Sequence, residues 1–172
     1  MKNVVLIGFM GSGKSTIGNL LSQMCDLPLW DTDQMIEVEA GCTIRRIFDT
    51  QGEETFRCME TALLQKLCRE ETLGVFSTGG GMPLRMENAQ WLKKLGTVIW
   101  LRLSPDTAYG RLKQDTTRPI LQCEDPKGRI TQLISERAAA YESAADITVD
   151  VDDKSKEQIV REILEALEEN ET

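Results

Sequence analysis

The chain has 172 residues, of which 41% are hydrophobic, enough for one domain with a proper core. It holds no histidine and five cysteines, none in a C-x-x-C pair; this disfavours a Cys/His zinc site and reads as the reduced thiols of a cytoplasmic protein. Net charge is −8, but residues 150–172 carry nine acids against three bases, and with no basic run, long apolar run or leader-like start the sequence predicts no nucleic-acid, membrane or export role.

Residues 3–8, NVVLIG, read as a buried strand that runs into GFMGSGKST at 8–16. Gly8, four residues, then Gly13, Lys14 and Ser15 form the phosphate-binding loop pattern, with a strand before it and a helix over 15–25 after it. The glycines let the backbone curl around phosphates, Lys14 adds a mobile positive charge, Ser15 offers a hydroxyl to Mg²⁺, and the helix contributes its positive end. LPLWD at 27–31 gives a second strand, GVFSTGG at 74–80 a third, TVIWLRL at 97–103 a fourth and DITVD at 146–150 a fifth. Between them lie helical stretches with recognisable ends. Ser104–Pro105 reads as an N-cap with proline behind it, Ser155 with Gln158 as a capping box, and Gly96 as a helix C-cap. Alternating strands and helices without a linker predict one α/β domain around a mostly parallel sheet, whose ligand sits at the carboxyl ends of the strands.

A phosphate-binding loop also serves GTP-dependent switch proteins, and DTQG at 49–52 fits their D-x-x-G pattern. None of the four asparagines begins an N-K-x-D guanine-reading motif, so the switch reading is the weaker one. Asp31 and Asp33, just past the second strand, stand where ligands bind and suit a metal and an acceptor hydroxyl. They equally suit a helix N-cap and a first-turn acid, and spacing alone leaves both open. Arg137 lies on the apolar stripe Ile130, Leu133, Ile134, Tyr141; a guanidinium there needs an anion, either a ligand or a protein carboxylate. Arg57 borders the stripe Phe56, Met59, Leu63, Leu67, with an i,i+3 pair to Glu60 as its plain alternative. Three consecutive glycines in TGGGMP at 78–83 exceed what a turn needs and suggest close approach of backbone to a ligand. DTTRPIL at 115–121 lacks a helical period and carries Arg118, as a closing lid or an ordinary surface loop does.

In order and spacing, GFMGSGKSTIG, DTDQMIE, IFDTQGEETFRCME, STGGGMP, TTRPIL and ERAAAYESAAD resemble the motifs of the shikimate kinase family, over about residues 3–168. The resemblance implies a three-layer P-loop kinase fold: a five-stranded parallel sheet in the order 2-3-1-4-5, flanked by helices, with a mobile lid. It implies transfer of the γ-phosphate of ATP to the 3-hydroxyl of shikimate in aromatic amino acid biosynthesis, with Mg²⁺ as cofactor. On this chain it assigns ATP to Gly11, Ser12, Gly13, Lys14, Ser15, Thr16, Arg111 and Arg118, and the metal to Ser15 and Asp31. The acceptor falls to Asp33, Arg57, Gly79, Gly80, Gly81 and Arg137, with Phe48 and Phe56 nearby, and catalysis to Lys14, Asp33 and Arg118. The expected unit is a single kinase domain over 1–172, monomeric, with a lid at about 112–124 and an acidic tail at about 169–172. Another P-loop small-molecule kinase, acting on gluconate or a nucleoside monophosphate, is the runner-up, and a non-catalytic nucleotide-binding module the second.

Overall fold

The computed structural model describes residues 2–115 and 121–170. In chain order the elements are β1 (Val4–Ile7), α1 (Lys14–Cys25), β2 (Leu29–Asp31), α2 (Thr32–Ala40), α3 (Ile44–Gln51) and α4 (Glu53–Arg69). There follow β3 (Val75–Ser77), a 3-10 turn (Met82–Leu84), α5 (Met86–Leu95), β4 (Thr97–Arg102), α6 (Pro105–Leu112), α7 (Pro126–Ala144), β5 (Ile147–Asp150) and α8 (Lys156–Asn170). All strand pairs are parallel, and their order is β2-β3-β1-β4-β5, as the resemblance implies.

The strand chemistry explains the order. VVLI of β1 is buried at every position, as is VFS of β3, and only the two ends of β4 reach solvent. Apolar runs of this kind suit strands covered on both faces. The edge strands β2 and β5 alternate less cleanly and stay partly exposed. Helices α1 and α8 pack together, and α4, α5 and α7 form a second packed group. One apolar cluster joins the sheet to these helices, from Val4 and Leu6 through Leu21, Leu64 and Leu92 to Ile163.

Local signals set the helix ends. Ser104 Oγ accepts from Thr107 N at 3.2 Å, and Ser155 and Gln158 form their reciprocal pair at 2.8 and 3.2 Å. Gly96 does close α5, its N–H reaching Leu92 O, but in extended backbone rather than a left-handed cap. Glycine is needed there because a Cβ would collide with the Asn3 backbone. The predicted strands are a little long: β3 stops at Ser77, so Thr78 to Gly80 already belong to the turn above the sheet. DTQG lies at the end of α3, with Gly52 at φ 87° turning the chain into α4. Nothing in that helical junction resembles a strand-end switch segment.

Candidate active site

β1 ends beside β3 on one side and β4 on the other, and the chain leaves in opposite directions from that point. A cleft opens above the carboxyl ends of the strands there, as the switch-point rule expects. It encloses about 480 Å³ between Gly11, Gly13, Lys14, Ser15 and Thr16 on one wall and Asp31, Asp33, Thr78, Gly79 and Gly80 on the other. A larger hollow of about 670 Å³ lies at the opposite end of the sheet, around Asn3, Leu95, Gly96 and Leu167. It lacks the phosphate-binding loop and both paired aspartates, so the chemistry belongs to the smaller cleft.

The loop takes its shape from glycine and from burial. Gly13, N-cap of α1, has φ 94°, which side-chain-bearing residues adopt at a cost. A Cβ on Gly8 would lie 2.7 Å from Leu101 O, so the loop can nest against β4 only without one. Lys14 folds over the loop, Nζ donating to Gly8 O at 2.7 Å and Phe9 O at 3.1 Å. Ser12 is buried, while Ser15 and Thr16 are exposed on the first turn of α1. Arg111, on α6, donates to Gly11 O at 2.9 Å, which brings that side chain to the loop. Arg118 lies outside the described residues.

Both readings of the paired aspartates hold in part. Asp31 is the N-cap of α2, its Oδ1 accepting from Asp33 N at 3.0 Å and Gln34 N at 3.1 Å. Asp33 has a different environment: Oδ1 is buried and accepts no hydrogen bond among the described residues. Burial, then the neighbouring Asp31 charge, push its carboxyl above the usual range, while Lys14 and Arg57 pull it back. A desolvated carboxylate without a donor suits a ligand hydroxyl.

Each glycine of the turn faces a different neighbour. A Cβ at Gly79 would lie 2.6 Å from Asp33 Oδ1 and 3.3 Å from Glu60 Oε1. At Gly80 it would come within 3.4 Å of Gly8 O, and at Gly81 it would strike the Arg57 guanidinium. The three positions thus border the acid, the phosphate-binding loop and the arginine in turn. Buried side chains pin the turn from outside: Thr32 Oγ1 accepts from Gly79 N at 3.2 Å, and Tyr141 Oη donates to Gly80 O at 2.6 Å. Behind it, Asn88 Nδ2 donates to Met82 O at 3.0 Å and Thr61 Oγ1 to Asn88 Oδ1 at 2.6 Å.

For the two arginines the open alternatives separate. Arg57 does take protein carboxylates, Glu60 Oε2 at 2.8 Å and Glu53 Oε1 at 3.2 Å, and lies 5.4 Å from the Phe56 ring centroid. Glu60 is fully buried, and its other oxygen, Oε1, has no hydrogen bond among the described residues. Desolvation lifts Glu60 to about 6 despite Arg57. Arg137 forms no ion pair among the described residues; it lies 5.6 Å from the Phe9 ring centroid, at the foot of the phosphate-binding loop. The Phe48 and Phe56 rings meet in a tilted pair, 5.1 Å between centroids. Sequence reasoning passed over Thr32, Thr61 and Asn88, whose only signal is a polar residue at a core position.

A phosphate-binding loop between β1 and α1, in a five-stranded parallel sheet of this order, with acids at the end of β2, defines a P-loop phosphotransferase of the small-molecule kinase class. Residues 10–168 match the shikimate kinase family, and the chain belongs to it. It is 42% identical over 161 residues to a shikimate kinase of Thioalkalivibrio sulfidiphilus, covering 94% of this chain and 84% of that protein. With a shikimate kinase of Pseudomonas savastanoi pv. phaseolicola identity is 40% over 169 residues, 98% of both chains. The structure of the Acinetobacter baumannii shikimate kinase in complex with shikimate superposes with a TM-score of 0.90 at 32% identity, covering 99% of this chain and 94% of that one. A gluconokinase of Sinorhizobium meliloti shares the fold at a TM-score of 0.55 and 18% identity.

Proposed function

We propose that this protein transfers the γ-phosphoryl group of ATP to the 3-hydroxyl of shikimate, giving ADP and shikimate 3-phosphate for aromatic amino acid biosynthesis. The observation that carries the reading is the juxtaposition around one glycine turn: Asp33 against Gly79, the phosphate-binding loop against Gly80 and Arg57 against Gly81. A hydroxylated carboxylate fits that set, since it offers a nucleophile for the acid and an anion for the arginines.

In-line phosphoryl transfer asks for positioning and charge stabilisation. Backbone N–H groups from Gly11 to Thr16 cradle the phosphates, and Lys14 moves from its carbonyl partners onto them. Asp33 orients the acceptor hydroxyl and receives its proton, a role that its raised pKa favours. Arg57 and Arg137 hold the acceptor carboxylate, Gly79, Gly80 and Gly81 line its pocket, and Arg111 lies on the nucleotide side. Arg118 serves the phosphates of ATP. Mg²⁺ fits the oxygen donors of the cleft: Ser15 Oγ is exposed there, and the helix-capping bonds occupy Asp31 Oδ1 only. When bound, the ion neutralises charge on the transferring phosphates. The whole chain serves as one kinase unit, monomeric; no helix among the described residues is long and apolar enough to cross a membrane, and the free thiols at Cys25, Cys42 and Cys68 suit the reducing cytoplasm.

The test is ADP release with Mg-ATP, comparing shikimate, quinate, gluconate, AMP and no acceptor. Turnover is expected with shikimate, and a fall of at least about a hundredfold in kcat for Asp33→Asn, which removes the proton acceptor. Preference for another acceptor would overturn the substrate assignment, and no turnover with any would favour a binding module.

A further inference from the structure

Tyr141 lies one helical turn beyond Arg137 on α7, 1% exposed, with its ring against Trp100 at 5.7 Å between centroids. Its hydroxyl points out of that packing to the glycine turn, donating to Gly80 O at 2.6 Å. A Cβ at Gly80 would lie 3.7 Å from this hydroxyl and 3.4 Å from Gly8 O, so the bond is made where the turn meets the phosphate-binding loop. Arg137 extends alongside, over the ring of Phe9 at the start of that loop. Burial raises the Tyr141 pKa, and the charges of Arg137 and Arg57 draw it back in part. The phenol therefore stays protonated and donating across the working pH range.

We propose that Tyr141 is a positioning residue of the acceptor site: its hydroxyl, donating to Gly80 O, ties α7 and so the Arg137 that α7 carries to the turn that borders the acceptor. The inference rests on the reading of Arg137 as a carboxylate clamp. α7 carries Arg137, and the Tyr141–Gly80 bond ties that helix to the turn one helical turn beyond it. Without the hydroxyl, ring packing still holds α7, but the guanidinium samples more orientations and acceptor binding weakens. A plainer role, satisfying a buried hydroxyl for stability, predicts something different.

The discriminating variant is Tyr141→Phe, which keeps the ring stack. KM does not depend on the folded fraction, so loss of folded protein lowers only the apparent kcat and leaves KM readable. The expected result is an acceptor KM raised about two- to tenfold, the range of one hydrogen bond, with the ATP KM unchanged. In an Arg137→Ala background the same substitution should change the acceptor KM less than twofold, because the group it positions is gone. An unchanged acceptor KM with a lowered melting temperature makes Tyr141 structural only and overturns the inference. So does a full KM effect in the Arg137→Ala background. A wild type that turns over no shikimate overturns the functional reading and the inference together, whereas a wild type that does so beside an unaffected Tyr141→Phe overturns the inference alone.

Discussion

Asp33 and Glu60 each keep one buried oxygen without a hydrogen bond among the described residues, both beside Gly79. For Glu60 this has a thermodynamic signature. Its pKa is raised from 4.5 to about 6 by burial, so the folded chain holds the proton more tightly than the unfolded one. The contribution is therefore fully present below pH 4.5 and is lost as pH rises through about 6, at a cost of about 2 kcal/mol. Urea unfolding at pH 4.5 and 7.5 should show wild type losing about 2 kcal/mol more over that interval than Glu60→Gln. Equal losses would mean that Glu60 does not titrate there. At this scale the acids were only half legible: D-x-D identified the pair, but capping by Asp31 and the donorless oxygen of Asp33 depend on what the fold brings against them.

The glycine turn after β3 acts as an element in its own right, bordered by α2, α4, the phosphate-binding loop and α7. Gly81→Ala tests it most directly, since the new methyl would displace the Arg57 guanidinium, the far end of a flexible side chain. The folding cost should be small and the binding cost large. We expect a melting temperature within a few degrees of wild type and an acceptor KM raised about ten- to hundredfold, the worth of a charge-assisted hydrogen bond. An unchanged acceptor KM would detach Arg57 from the acceptor. Three glycines in the sequence announced close approach; that each admits a different neighbour required α2 and α4 to be folded beside the turn. The Gly96 cap shows the same limit, since the pressure for glycine there comes from Asn3, distant in sequence.

For the whole molecule, the two walls of the cleft belong to different parts of the chain: the phosphate-binding loop and the start of α1 on one side, the end of β2, α2 and the glycine turn on the other. Ligands that bind only the folded state raise its stability by mass action, about 2.7 kcal/mol at a hundred times Kd. For a chain of this size that corresponds to roughly 5–10 °C. Shikimate alone should produce such a shift in Arg137-intact protein, Arg57→Ala should lose it while keeping the ATP shift, and Lys14→Met should do the reverse. Loss of both shifts in either variant would show that the walls do not act separately.

The sequence by itself determined the phosphate-binding loop, the strand order through its family resemblance, the helix caps at Ser104 and Ser155, and the paired acids at the end of β2. These signals are local: a loop motif, a cap or an apolar period is written in neighbouring residues, and hydrogen bonding realises it wherever the chain folds. The tertiary structure alone decided that Arg137 rests on Phe9, and that Asp33 keeps a buried oxygen without a hydrogen bond among the described residues. It alone set Tyr141, Thr32 and Asn88 against the glycine turn. Arg137 with Phe9, Tyr141 with Gly80 and Thr32 with Gly79 join residues tens of positions apart, and burial, which removes water as the alternative partner, makes such contacts consequential.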